Sequence, residues 1–219
     1  VLLMGYFLKK TLREYGDFRS AFIKCIDFIY KPPNHFNFSG GTRTMELKAN
    51  VNFDRFEAAL QVVDAHTVGE FCRVVIGGFP EPKGDTMIEK KKWMEENYDH
   101  VRTALMFEPR GHHDMFGAFL CEPVNKEADF GVMFMDTGGY LNMCGHCTIG
   151  AVTVAIEAGL VESREGENEV VLDAPAGLIR TKAIVKNGKV ENVTLTNVPS
   201  FVYKENQKVT IDGKEIEFT

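Results

Sequence analysis

The sequence lacks any apolar run approaching the about 18 residues that a membrane-crossing helix needs. Its apolar opening, Val1 to Leu8, is followed rather than preceded by Lys9-Lys10, the wrong order for a secretory signal. Positive charge is also in short supply. Twenty-five Lys and Arg face 31 Asp and Glu, a net charge of −6, and no basic stripe breaks the balance. A nucleic-acid partner therefore has no electrostatic footprint here. Nor is there an even set of cysteines. The five, at 25, 72, 121, 144 and 147, form an odd count without a secretory signal, which predicts reduced thiols and a cytoplasmic protein. The glycine pairs Gly77-Gly78 and Gly138-Gly139 lack the spacing of a phosphate-binding loop. What remains is 44% hydrophobic and 26% charged, the composition of a globular domain, in 219 residues that suffice for a real core.

Residues 1–44 differ from the rest. They are rich in aromatics (Tyr6, Phe7, Tyr15, Phe18, Phe22, Phe28, Tyr30) and end in the breakers Pro32-Pro33-Asn34 and Ser39-Gly40-Gly41. Met45 then offers a translational start. The segment is expected to be an N-terminal extension, dispensable or belonging to an upstream reading; the alternative is a short helical arm on the main domain, 45–219. From Gln61 the pattern becomes regular. Gln61–His66 and Cys72–Ile76 alternate as two strands around a turn at Gly69. Asp85 or Thr86 can cap a helix through Met87, Met94, Tyr98, Val101 and Leu105. Phe116–Leu120 and Phe130–Met135 are further strands, with Asp136 to Gly139 as a turn. A second helix starts near Cys144-Gly145 and runs to Gly159, a good C-terminal stop. It is apolar on every side, so it belongs inside the domain. Asn187-Gly188 and Asp212-Gly213 each mark a tight hairpin. The sum is an α+β fold: a curved, mostly antiparallel sheet around a buried helix.

The start of that second helix carries the chemistry. Free backbone N–H groups and the helix dipole favour a thiolate at Cys144, which predicts a pKa below the usual thiol value of about 8.5. The N–H groups of Gly145 and His146 offer a carboxylate cradle, and Gly145 has no side chain to obstruct it. An acid/base beside a carboxylate cradle suits proton abstraction from the carbon next to a carboxylate. Position alone also fits a small buried hydrophobe.

Two longer stretches sharpen this. Glu108-Pro109-Arg110-Gly111-His112-His113-Asp114-Met115-Phe116-Gly117 and Asp136-Thr137-Gly138-Gly139-Tyr140-Leu141-Asn142-Met143-Cys144-Gly145-His146 resemble signature stretches of the proline racemase family. Asp64-Ala65-His66-Thr67, Asp173 to Gly177 and Asn197-Val198-Pro199 are similar to further family segments. The resemblance covers residues 60–219. It implies a diaminopimelate-epimerase-like half of a protein built from two barrel-like halves around a cleft. It implies a cofactor-independent isomerase that interconverts L- and D-proline with two cysteines on opposite faces of the substrate Cα. Cys144 would be one of them, Gly145 and His146 would bind the carboxylate, and Phe116 would wall the ring pocket. The substrate would be proline or hydroxyproline, with no cofactor or metal, and a homodimer is compatible.

Three departures qualify the resemblance. The family's second cysteine block, similar to Asp-Arg-Ser-Pro-Cys-Gly-Thr-Gly, is absent from these residues, so the sequence reads as an N-terminal half without its C-terminal one. Phe71-Cys72 replaces smaller residues, with no chemical consequence expected. Cys147 stands where the family usually has a small residue. Hydroxyproline epimerase, trans-3-hydroxyproline dehydratase and a non-catalytic truncated remnant therefore stay open. Cys144-Gly145-His146-Cys147 also matches the tetrapeptide of disulfide isomerases, but Leu141-Asn142-Met143 precede it and the single tryptophan, Trp93, is far upstream. A weaker expectation is that Cys147 oxidises with Cys144 and switches the site off. The cluster Arg110, His112, His113 and Asp114 lacks metal-ligand spacing and should instead brace the site wall. His66 is expected to be structural, and Cys25 and Cys121 inert.

Overall fold

A computed structural model describes residues 59–219; the expectations for residues 1–44 and for Cys25 lie outside them. The elements are β1 (Gln61–Thr67), β2 (Glu70–Gly77), α1 (Met87–Met106), β3 (Phe116–Cys121), β4 (Phe130–Asp136), β5 (Tyr140–Leu141), α2 (Gly145–Glu157), β6 (Gly166–Ala174), β7 (Gly177–Lys186), β8 (Lys189–Thr196), β9 (Gln207–Ile211) and β10 (Lys214–Phe218). The main sheet runs β1-β2-β3-β4-β6-β7-β8, with β5 also paired to β4. Five of its pairings are antiparallel, while β2–β3 and β4–β6 are parallel.

Alternation along the central strands sorts the core into two clusters. Phe130, Val132 and Phe134 of β4 face one side with Cys72, Val74 and Ala118, and α2 packs there. Met133 and Met135 face the other with Val75 and Phe119, and α1 covers them. Period-two placement is what a pleated strand buried on both faces requires. The helix α2 touches β1, β2 and β3 at one end of the sheet and β7 and β8 at the other. The sheet therefore curves around it without closing, since edge strands β1 and β8 do not pair. The barrel-like half expected from the resemblance is thus an open one.

Local chemistry fixes the ends of both helices. Thr86 caps α1 in a capping box: its side chain accepts from the Glu89 N–H, and Glu89 accepts from the Thr86 N–H. At the far end of α2, Gly159 has φ +71°; it donates to the Ile156 carbonyl while Leu160 donates to that of Ala155, the paired Schellman bonds. The polar residues inside α2 are satisfied locally. Thr148 Oγ1 donates to the Cys144 carbonyl at 2.7 Å and Thr153 Oγ1 to that of Ile149 at 2.8 Å. Its Val152, Val154 and Ile156 each contribute roughly 1.5–3 kcal/mol by burial.

Two buried arginines tie the segments together. Arg73 on β2 holds Asp64 on β1 and donates to the carbonyls of Leu105 and Arg110. Arg102 on α1 pairs with Asp99 and donates to the carbonyls of Asp136 and Thr137, anchoring the turn that leads through β5 to Cys144.

Two elements were not anticipated. Strand β6 opens Gly-Glu-Asn-Glu, a polar start that conceals it, and β5 is only two residues long. The hairpin at Asp212-Gly213 does form, as a separate two-stranded sheet, with φ +51° and +75° at its turn. Among the described residues no helix is long and apolar enough to cross a membrane.

Candidate active site at the start of α2

Cys144 is the N-cap of α2, with extended backbone (φ −147°, ψ 117°). Its carbonyl accepts the Thr148 N–H at 3.0 Å, the first helical bond. Its side chain makes no capping bond, so the first-turn donors stay free of it. Among the described residues no acceptor meets the N–H groups of Gly145 and His146. A Cβ placed on Gly145 would meet no atom within 4 Å. The cradle is open.

His146 organises its walls. Its carbonyl accepts Thr67 Oγ1 at 2.9 Å, tying α2 to the end of β1. Nδ1 lies 3.4 Å from Cys144 Sγ; Nε2 lies 3.3 Å from both Cys147 Sγ and the Phe71 carbonyl oxygen. The ring meets Phe116 edge-on, with centroids 4.7 Å apart. All four sequence-selected residues (Cys144, Gly145, His146 and Phe116) are thus neighbours. On the far side of Cys147 stands Cys72, its Sγ 3.9 Å from the Cys147 carbonyl. Gly150 admits that approach, since a Cβ there would lie 3.2 Å from Cys72 Sγ.

The protonation of Cys144 departs from the sequence expectation. The neighbouring Cys147 thiol and burial push the Cys144 thiol up, not down. His146 and the Cys147 backbone N–H pull the other way without prevailing. Two sulfurs in contact cannot both ionise cheaply, and a buried thiolate loses hydration that one helix turn does not replace. At Cys147 the Cys144 side chain acts downward, but Cys72 and burial outweigh it. His146 is raised, chiefly by Cys144. Alkylation of Cys144 by iodoacetamide should therefore be slow at neutral pH and keep rising past the ordinary thiol value of about 8.5. A rate that levels off by neutrality would show that the helix terminus dominates after all.

Other selected residues take lesser parts. His66 Nδ1 accepts the Gly69 N–H at 3.2 Å, a turn-bracing role. The Arg110 carbonyl receives Arg73, and His112 packs edge-on against Phe71, whose carbonyl holds His146; His113 pairs with Asp114 at the surface. Burial pushes the Cys121 thiol up to about 12. Cys72, Cys121, Cys144 and Cys147 are all free thiols. Thr67, the Phe71 carbonyl and Cys72 were not foreseen as parts of the site. Cys72 was the available signal: its thiol stands beside Cys147 and helps push that thiol up.

Comparison with known proteins decides the family. The profile described as proline racemase matches residues 62–215. The chain belongs to the proline racemase family. It is 55% identical over 157 residues to the proline racemase of Acetoanaerobium sticklandii, covering 72% of this chain and 47% of that one. It is 44% identical over 155 residues to a trans-3-hydroxy-L-proline dehydratase of Bacillus thuringiensis subsp. konkukian, covering 71% and 46%. Among solved structures, a hydroxyproline epimerase from Agrobacterium vitis with bound trans-4-hydroxy-L-proline superposes with a TM-score of 0.67 at 31% identity, over 73% of this chain and 47% of that one. The chain spans about half the length of these proline racemase-family relatives.

Proposed function

We propose that Cys144 is one of two thiol acid/bases in a cofactor-independent proton transfer at the Cα of proline or hydroxyproline. The observation that carries this is the Cys144 thiol beside the open Gly145 and His146 N–H groups, in a chain of this family. The substrate carboxylate would accept those N–H groups, placing Cα against Cys144 Sγ, with Phe116 walling the ring side. A thiol that stays protonated at neutral pH is the acid form: it gives its proton to Cα while the partner thiolate takes the α-proton from the opposite face, and it is then itself the thiolate base for the reverse direction.

Inversion needs both faces served at once; among the described residues Cys144 lines the cradle, and Cys147, within 4.8 Å of it on the same helix turn, is fully buried. The second thiol would come from a segment outside these residues, as the family resemblance implies. L-Proline followed by polarimetry with the 219-residue chain should show no change in rotation. Rotation that decays with wild type but not with Cys144→Ser would contradict the need for a second group.

The choice among proline racemase, hydroxyproline epimerase and dehydratase rests on that second face. A disulfide oxidoreductase fits less well. Such enzymes depress the pKa of an exposed attacking thiol, whereas Cys144 is 8% exposed and raised, and Cys147 is fully buried.

A further inference from the structure

The donor atoms of Cys144, His146 and Cys147 all lie within 4.8 Å of one another. We propose that these three side chains form a binding site for a soft or borderline divalent cation of the zinc type, held by two sulfurs and one nitrogen. Occupation there would take the Cys144 lone pair and so block it as a base, a consequence that rests on the function proposed above. The binding itself does not.

The donor set is the first ground. Thiolate and imidazole are the ligands such ions prefer over magnesium or calcium. Spacing is the second. With metal–sulfur bonds of about 2.3 Å and metal–nitrogen bonds of about 2.0–2.1 Å, a tetrahedral site sets its sulfur and nitrogen ligands about 3.6 Å apart. His146 Nδ1 lies 3.4 Å from Cys144 Sγ, close to that spacing, while Cys147 Sγ lies 3.3 Å from the other ring nitrogen, Nε2, and must turn within the 4.8 Å cluster to share the same ion. The third ground is the tautomer of His146. A metal-binding imidazole characteristically donates its other N–H to a backbone carbonyl, which fixes the tautomer. Here Nε2 lies 3.3 Å from the Phe71 carbonyl, which leaves the Nδ1 lone pair for a metal beside Cys144 Sγ. The bond from Thr67 to the His146 carbonyl holds the backbone of this first turn in place.

Binding would release two thiol protons to solvent as two metal–sulfur bonds form, with water in the fourth position. Affinity should therefore rise with pH. Cys147 replaces the small residue usual in the family, so relatives without it would lack one of the two sulfurs.

The test is a Co2+ titration of the metal-free chain in a phosphine reductant, read by absorption, with proline absent. The expected result is one equivalent bound with sulfur-to-cobalt charge-transfer bands and intense tetrahedral visible bands, both erased by Zn2+. Cys147→Ser and His146→Ala should each weaken binding by at least about tenfold, the lower bound for losing even an outer-shell partner. Cys121→Ser should change nothing. Absence of charge-transfer bands in the folded wild type, checked by circular dichroism, would overturn the proposal. So would full-strength bands in a folded Cys147→Ser chain, or their loss in Cys121→Ser. Because no substrate is present, neither result depends on whether the chain racemises proline.

Discussion

Arg73→Ala should lower the stability of the fold by about 3–5 kcal/mol, the cost of removing one partner from a buried ion pair. Arg73 is 1% exposed and makes four hydrogen bonds: two to the Asp64 carboxylate, at 2.8 and 3.0 Å, and one each to the carbonyls of Leu105 and Arg110. Alanine would leave the buried Leu105 carbonyl unpartnered, at a cost of roughly 1–3 kcal/mol, and would take the cation from Asp64 and one donor from the part-buried Arg110 carbonyl. Asp64 is about one-third exposed (34%), so water recovers part of its loss and the lower half of the range is the better expectation. Arg73→Lys should recover little, because an ammonium cannot span the carboxylate and two carbonyls as the planar fork does. Urea unfolding followed by circular dichroism measures both. A loss under about 1 kcal/mol for Arg73→Ala would mean that β1, β2 and the end of α1 are held together by something else.

Gly145→Ala should separate stability from binding. The position is helical and a Cβ there meets nothing within 4 Å, so the fold should be unchanged or gain up to about 1 kcal/mol from alanine's better helix propensity. Affinity for L-proline should fall roughly tenfold to a hundredfold. The methyl group would stand in the space where a carboxylate approaches the Gly145 and His146 donors, and hydrogen bonds to a charged group are worth about 1.5–3 kcal/mol each. Isothermal calorimetry alongside urea unfolding reads the two effects apart. Unchanged affinity in the alanine chain would place the carboxylate elsewhere.

These two residues also mark what the sequence could and could not disclose. Gly145 was legible because helix-start chemistry is local: a stop in the strand pattern, a cysteine, a glycine and then an apolar helix. The cap at Thr86, the Gly159 stop and the tight turns were legible for the same reason, each being set by neighbours a few residues away. Arg73 was not, since an arginine inside the strand Cys72–Ile76 gives no hint that Asp64, Leu105 and Arg110 converge on it. Strand β6 escaped because Asn168, a poor strand former, is buried by bonding back to the carbonyls of Arg164 and Gly166. The protonation of Cys144 was misjudged for a related reason. The dipole that lowers its pKa and the Cys147 thiol that chiefly raises it are both visible in the sequence, while the meeting of the two sulfurs and the burial that adds to the rise are not. Cys147 was noticed as an oxidisable neighbour, but its contact with Cys72 depends on β2 packing against α2.

The central claim is that Cys144 faces the bound α-carbon of proline, and substrate protection of its thiol tests this most directly. The 219-residue chain is treated with iodoacetamide at alkaline pH over a series of L-proline and trans-4-hydroxy-L-proline concentrations, and labelling of each cysteine is followed by mass spectrometry. The predicted result is saturable slowing at Cys144 with at least one of the two ligands, while Cys121 labels at a constant rate. Labelling of Cys144 that is indifferent to both ligands, in a chain that circular dichroism shows to be folded, would contradict the assignment.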